Sequence, residues 1–327
     1  MGVFPPGRGE EKGRLGASTH RVARRSPPFH VCGPVSEVFS VKVRSWMMAK
    51  ELARRLIKYP IDDVLRGIGF RDRDVPPMKL VRVSPYQTFR EAGQEWLSKL
   101  QEIGGLQPHE NVLDIGCGSG RVALALMHYL SDEGSYTGAD IRRDEIIWLQ
   151  SHYSSKRSNF KFEFLDVENA FYGRDPNQEQ ASTFQFPFES DAYDFICLTS
   201  VFTHMLPQSI ENYLQEIARL LKDGGRCFIS YFLMNDSPRH DSRAGTSSRE
   251  FAHEVAPACF TDNLKCPEEA VALEESYILS LYEKNDLHIR QAIFRGRWST
   301  SRKLNAIRDY QDIIVALKPT RSEGEAV

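Results

Sequence analysis

The chain has 327 residues, 41% hydrophobic and 26% charged, which is material for one large globular domain with additions. Its 42 Lys and Arg stand against 44 Asp and Glu, and this near balance excludes a protein built mainly to coat nucleic acid. No apolar run approaches the roughly 20 residues needed to cross a bilayer, and the six cysteines lack paired metal-ligand spacing. A cytoplasmic protein with reduced thiols and no metal centre is expected.

In chain order, residues 1–45 carry eight Lys/Arg against three Glu, with Gly and Pro interspersed and no helical period, which predicts a disordered basic extension. A targeting segment and an over-extended start upstream of Met47 both remain open for it. Residues 46–108 read as a helical cover. Leu52, Leu56 and Ile57 sit at helical spacing among Arg54, Arg55 and Lys58, and a second helix is predicted from Pro85 to Ile103.

A regular alternation follows from residue 109. Strands are predicted at Asn111–Ile115, Ser135–Ile141, Phe160–Val167, Tyr193–Ser200 and Arg226–Phe232. Helices are predicted at Arg121–Leu130, Glu145–Tyr153 and Ile210–Leu221. Such alternation implies a mostly parallel sheet with helices on both faces. Residues 234–265 are polar and read as a long, lid-like surface insertion. A helix is predicted from Pro267 to Lys284, then two antiparallel strands, Leu287–Phe294 and Asp309–Leu317, before a flexible tail at 319–327.

The sharpest signal is Val112-Leu113-Asp114-Ile115-Gly116-Cys117-Gly118-Ser119-Gly120-Arg121, a strand feeding a glycine turn that opens a helix. Glycines at alternate positions let a ligand lie against bare backbone. The spacing Gly116, Gly118, Gly120 departs from the dinucleotide fingerprint, in which a third glycine would stand at Arg121. Acids recur in register with it. Asp140 ends the second strand 24 residues after Gly116, Asp166 ends the third 26 later, and Asp194 opens the fourth another 28 on. At the carboxyl edge of an open sheet, Asp140 is placed to accept hydrogen bonds from a ribose diol and Asp166 to read an adenine amino group; Asp194 lies at the opposite end and is expected to be structural.

With these motifs the chain resembles the class I S-adenosylmethionine-dependent methyltransferases. The resemblance rests on Val112–Arg121, on Gly138-Ala139-Asp140-Ile141, on Asp166-Val167, on the run from Tyr193 to His204 and on Leu221–Arg226. It covers roughly residues 85–318. It implies a Rossmann-like α/β domain at 109–318, a doubly wound seven-stranded sheet whose last strand is antiparallel, with S-adenosylmethionine across the carboxyl ends of the first four strands. Asp114, Gly116, Cys117, Gly118 and Gly120 would hold the cofactor along its methionine half. Asp140 would take the ribose hydroxyls, Ile141 would pack on adenine, Asp166 and the backbone of Val167 would read its edge, and Ser200 would face the methionine and the acceptor.

For the acceptor, His204 past the fourth strand is the candidate general base. Tyr86 and Trp298 are candidate substrate contacts. The aromatic stretch from Phe171 to Phe188 suits either a lid or simple docking on the sheet rim. A small molecule with an oxygen acceptor is favoured, because Leu198-Thr199-Ser200-Val201 replaces the Asn/Asp-Pro-Pro-aromatic run of amino-methylating enzymes. No aromatic-basic RNA module is visible. A nicotinamide-dependent oxidoreductase and a non-catalytic S-adenosylmethionine-binding protein are the competing readings.

Overall fold

The computed structural model describes residues 54–81, 88–172, 177–235, 249–289, 291–298 and 310–320. The predicted basic extension and Tyr86 lie outside these residues.

The alternation predicted from residue 109 is present. Strands β1 (Asn111–Ile115), β2 (Ser135–Asp140), β3 (Phe160–Phe164), β4 (Tyr193–Leu198) and β5 (Leu221–Tyr231) pair in parallel in the order 3-2-1-4-5. Two later strands extend the β5 edge. Asp312–Leu317 lies antiparallel to β5, and the short His288–Ile289 pairs antiparallel beyond it, completing seven strands. A hydrophobic core fills each face of this sheet. Leu113, Ile196 and Ile229 point into one, and Val112, Phe195 and Phe228 into the other, which is the period-two alternation of strands buried on both faces.

The helices follow from their stripes. Helix α1 spans Tyr59–Gly67 and continues a single π-helical turn, Arg54–Lys58. In α2 (Phe89–Glu102), Phe89, Trp96, Leu97 and Leu100 are buried, and Trp96 meets Phe228 edge-on with ring centroids 6.2 Å apart. Helices α3 (Arg121–Leu126) and α4 (Arg143–Leu149) follow β1 and β2. Helix α5 (Pro207–Leu220) starts with Pro207, whose missing N–H has no partner to lose there, and buries Ile210, Leu214 and Ile217. Polar ties close the sheet's amino edge. Arg226 clamps both oxygens of Glu110 at 2.8 and 2.9 Å, and Asp194 accepts the Asn111 N–H and the Lys222 ammonium, the structural role expected of it.

The region after β5 departs from expectation. Where a surface excursion was predicted at 234–265, the described residues build a second sheet. It comprises β6 (Leu233–Met234), β7 (His253–Ala256), β8 (Cys259–Thr261) and β9 (Val271–Glu274), in the order 6-9-8-7. The helix expected from Pro267 begins only at Glu275; α6 is Glu275–Lys284, and Val271–Glu274 before it is a strand. The acids Glu268 and Glu269 marked a single 3-10 turn (Pro267–Glu269), and Val271, Ala272 and Leu273 are buried on both sides. The final strands, β10 (His288–Ile289) and β11 (Asp312–Leu317), are antiparallel neighbours at the edge as expected, though β10 is much shorter than its apolar run.

Candidate active site

The carboxyl ends of β1, β2 and β4 carry four pieces of the candidate site, the last two on the one stretch that follows β4. The first is the glycine turn. Gly116 and Gly120 both hold left-handed φ, +81° and +84°. A Cβ on Gly116 would overlap a Val201 methyl, and one on Gly120 would overlap Leu149, so both positions admit only a residue without a side chain. The Gly116 and Cys117 amides are tied to the Ala139 carbonyl at 2.7 and 3.2 Å, which welds the turn to the end of β2.

Asp140 is the second piece. One carboxylate oxygen accepts the Gly118 N–H at 2.7 Å and the other the Arg142 N–H at 2.9 Å. The Ile141 N–H adds a third backbone donor to this carboxylate. Burial pushes the Asp140 pKa above the ordinary carboxylate value, with the Gly118 and Arg142 amides working against that shift. Ile141, next in chain, is half-buried against the core.

The structure corrects two cofactor candidates within the turn. Asp114 is fully buried beneath the glycines, where Tyr136 Oη donates to it at 2.8 Å, and burial raises its pKa to about 6. Cys117 is buried in the same core, its thiol against Gly138. The period of β1 sets Asp114 on the face of Val112, toward Tyr136, and Cys117, past the strand's end, packs in the core on that same face, so both side chains lie beneath the turn. Asp166 is exposed beyond β3 and accepts Gln178 Nε2 at 3.2 Å, while Val167 is buried and bridges Glu179.

The third piece is Ser200, which leaves β4 with φ +63°, a left-handed conformation that for a non-glycine residue costs of order 1–3 kcal/mol and concentrates at functional sites. It is held there by residues that local sequence signals missed. The Ser200 N–H donates to Ser230 Oγ at 2.8 Å, and both serine hydroxyls donate to Gln311 Oε1, at 2.9 and 2.8 Å. Ser230 is the penultimate residue of β5 and Gln311 precedes β11, so only the sheet order brings them to β4.

His204 is the fourth piece. Its Nδ1 lies 3.0 Å from the Glu268 carbonyl. A carbonyl only accepts, so Nδ1 carries the proton and the neutral ring has its lone pair on Nε2. Burial lowers the His204 pKa and keeps the ring neutral. Phe171 stacks on it, centroids 5.3 Å apart and planes 14° from parallel, and Tyr172 meets it edge-on. Asn169 fixes this loop, accepting the Phe171 and Tyr172 amides and donating to the His204 carbonyl, while the Ala170 N–H donates to Glu268.

The aromatic stretch divides accordingly. Phe171 and Tyr172 are partly exposed beside His204, whereas Phe184 and Phe186 are buried against Tyr213 and dock on the sheet. Trp298, expected to reach an acceptor, is 1% exposed, packed against Phe232 and Phe251, with Nε1 donating to Asp312 at 2.7 Å. It is a core residue of the second sheet, because the bend after Phe294 turns it inward.

Comparison with known proteins agrees with this geometry. A family model described as a methyltransferase domain matches residues 86–262. Arsenite methyltransferase of Mus musculus is 26% identical over 119 residues, 36% of this chain and 30% of that protein. Sterol 24-C-methyltransferase erg6 of Schizosaccharomyces pombe is 26% identical over 187 residues, 56% of this chain and 43% of the relative. The tRNA N(3)-cytidine methyltransferase METTL2 of Gallus gallus is 24% identical over 168 residues, 50% and 40% of the two chains. The match thus spans less than half the length of these relatives. Among solved structures, the PH0226 protein of Pyrococcus horikoshii OT3 superimposes with a TM-score of 0.48 at 15% identity, over 71% of this chain and 92% of that one.

Proposed function

Because this chain belongs to the methyltransferase-domain family, whose methyl donor is S-adenosylmethionine, we propose that it moves the methyl group to a hydroxyl oxygen of a small-molecule acceptor beside His204. The observation that carries this reading is the glycine turn closed onto the Asp140 carboxylate, with no side chain at Gly116, Gly118 or Gly120. The residues present fit the cofactor. Asp140 would take the ribose hydroxyls, Ile141 one face of the adenine, the Val167 backbone and Asp166 its edge, and the strained turn at Ser200 the methionine end.

When bound, S-adenosylmethionine supplies a methyl already activated on a sulfonium sulfur. What is asked of the chain is an in-line acceptor and a dry cleft. His204 Nε2 would receive the acceptor's proton as its oxygen bonds the methyl carbon and the carbon–sulfur bond breaks. The Asn169 and Glu268 contacts hold the ring for that transfer. Arsenite and a sterol, named in two of the relatives, are small molecules, which supports a small-molecule acceptor, while a third relative is named for a tRNA; the choice of oxygen rests on Leu198-Thr199-Ser200-Val201.

Two measurements test the reading. The melting temperature should rise with S-adenosylmethionine and with its demethylated product and stay unchanged with NAD or NADP, because only a ligand of the native state stabilises it. A dinucleotide-only response removes the methyltransferase assignment. Once an acceptor is found by labelled-methyl transfer, His204→Gln should lower kcat by about 10²–10⁴-fold. Because the His204 pKa is lowered, the acid limb of the parent's rate profile should lie below pH 6.5, and it should vanish in the variant. Equal rates in the two proteins would leave His204 a packing residue.

A further inference from the structure

Helix α1 is mounted inside out. Two of its three charged residues, Asp62 and Arg66, face the protein, and the third, Asp63, pairs with Lys79 at the surface. Asp62 is 1% exposed, accepting the Met78 N–H at 2.9 Å and pairing with Arg71 at 3.2 Å, and Arg66 donates to the Val75 carbonyl at 2.6 Å. On the opposite side Ile57, Ile61, Val64 and Ile68 recur at intervals of four, three and four residues, a continuous stripe at helical period. These four, with Leu56 and Phe70 flanking them, are between 51% and 79% exposed. Water is a poor partner for so much contiguous apolar surface on one short segment.

The segment is anchored, so the stripe has a fixed outward direction. The stretch after α1 is bound to the sheet domain by Tyr153 Oη, which donates to the Asp74 carbonyl at 2.6 Å, by Lys156 on the Asp74 carboxylate and by Arg90 on Asp72. Its charges are arranged to one effect. The acids are ion-paired within the chain, Asp62 with Arg71 in the interior, and Asp63 with Lys79, Asp72 with Arg90 and Asp74 with Lys156 at the surface. Lys58 and Arg73, one near each end of the stripe, are exposed cations.

We propose that this stripe seats the protein on an anionic phospholipid surface, the apolar side chains entering the headgroup–acyl boundary and Lys58 and Arg73 meeting lipid phosphates and carboxylates. Charge decides against the alternative of a second copy. Two such faces brought together would oppose cations to cations, with the acids already held elsewhere, whereas anionic headgroups supply the complement. Among the described residues no helix is long and apolar enough to cross a membrane, so the contact is with one leaflet.

Co-flotation of the full chain with vesicles tests this. Vesicles of phosphatidylcholine containing phosphatidylserine should retain roughly 10- to 30-fold more protein than phosphatidylcholine alone, the gain expected from two surface cations, and salt should reduce it. Ile61→Asp combined with Val64→Asp should abolish flotation, and Lys58→Glu with Arg73→Glu should remove the phosphatidylserine preference. All four residues are exposed, so an unchanged melting temperature is expected of each variant. Absence of flotation, or flotation undiminished by the paired Asp substitutions, overturns the proposal. So does a dimer in sedimentation velocity that those substitutions dissociate, which would assign the stripe to a second copy.

Discussion

Asp140→Ala should weaken S-adenosylmethionine binding by at least about 100-fold in titration calorimetry, leaving too little affinity for a thermal shift at moderate ligand concentration. A hydrogen bond to a charged acceptor contributes about 1.5–3 kcal/mol, and a ribose diol would make two with this carboxylate. The same substitution frees the Gly118 and Arg142 amides, which now hold the glycine turn against the end of β2. Affinity would therefore fall both through the lost acceptor and through a looser berth. The two can be separated, because Asp140→Asn keeps the shape yet must turn an amide donor toward one of two N–H groups. It should bind as poorly as the Ala variant with a better preserved fold. Because burial raises the pKa of Asp140, the parent's affinity should also fall on acidification, starting above the ordinary carboxylate pKa of 3.8. Undiminished binding by Asp140→Ala would remove this residue from the site.

What could be seen beforehand follows physical range. The parallel sheet and the glycine turn were legible because each is written in local signals: Val112–Ile115 as a buried run, Gly116, Gly118 and Gly120 as residues for a turn, Asp140 at a strand end. The inward course of Asp114 was implicit in the strand's period-two alternation, which sets it under the turn with Tyr136. Gln311 and Ser230 could not be read. Neither stands in a motif, and they reach Ser200 only because β11 is antiparallel to β5 and begins where β4 and β5 end. The second sheet escaped for another reason. Its strands are two to four residues long, below the length at which an alternation stands out from a polar loop, and β9 abuts α6 directly, so two periods ran together as one apparent helix. Trp298 shows the limit most clearly, since an exposed tryptophan in a basic loop and a buried one donating to a carboxylate look alike until the carboxylate, 14 residues on, is placed beside it.

That carboxylate carries the largest expected effect on stability. Asp312 is buried and accepts three N–H groups, from Leu233 at 2.9 Å, Gly296 at 2.8 Å and Trp298 Nε1 at 2.7 Å, joining β11 to the second sheet and to the bend that bears the tryptophan. Asp312→Ala leaves three donors without their acceptor in a space with little room for water. At about 1–3 kcal/mol for each unsatisfied buried group, partly offset by removing a buried charge, the net loss near neutral pH should be about 3 kcal/mol in denaturant unfolding. The pH dependence has a definite sign. Burial raises the folded pKa of Asp312 to about 6 against 3.8 for the unfolded chain, so the native state holds this proton longer. The stability it contributes is full below pH 3.8, is lost as pH rises through about 6, and is constant beyond. Asp114 titrates with the same sign, and since both proteins keep it, the difference between parent and variant isolates Asp312. That difference should grow from pH 7.5 toward pH 5. A variant within about 1 kcal/mol of the parent across this range would show that the three donors find other partners and that Asp312 does not hold the second sheet to the first.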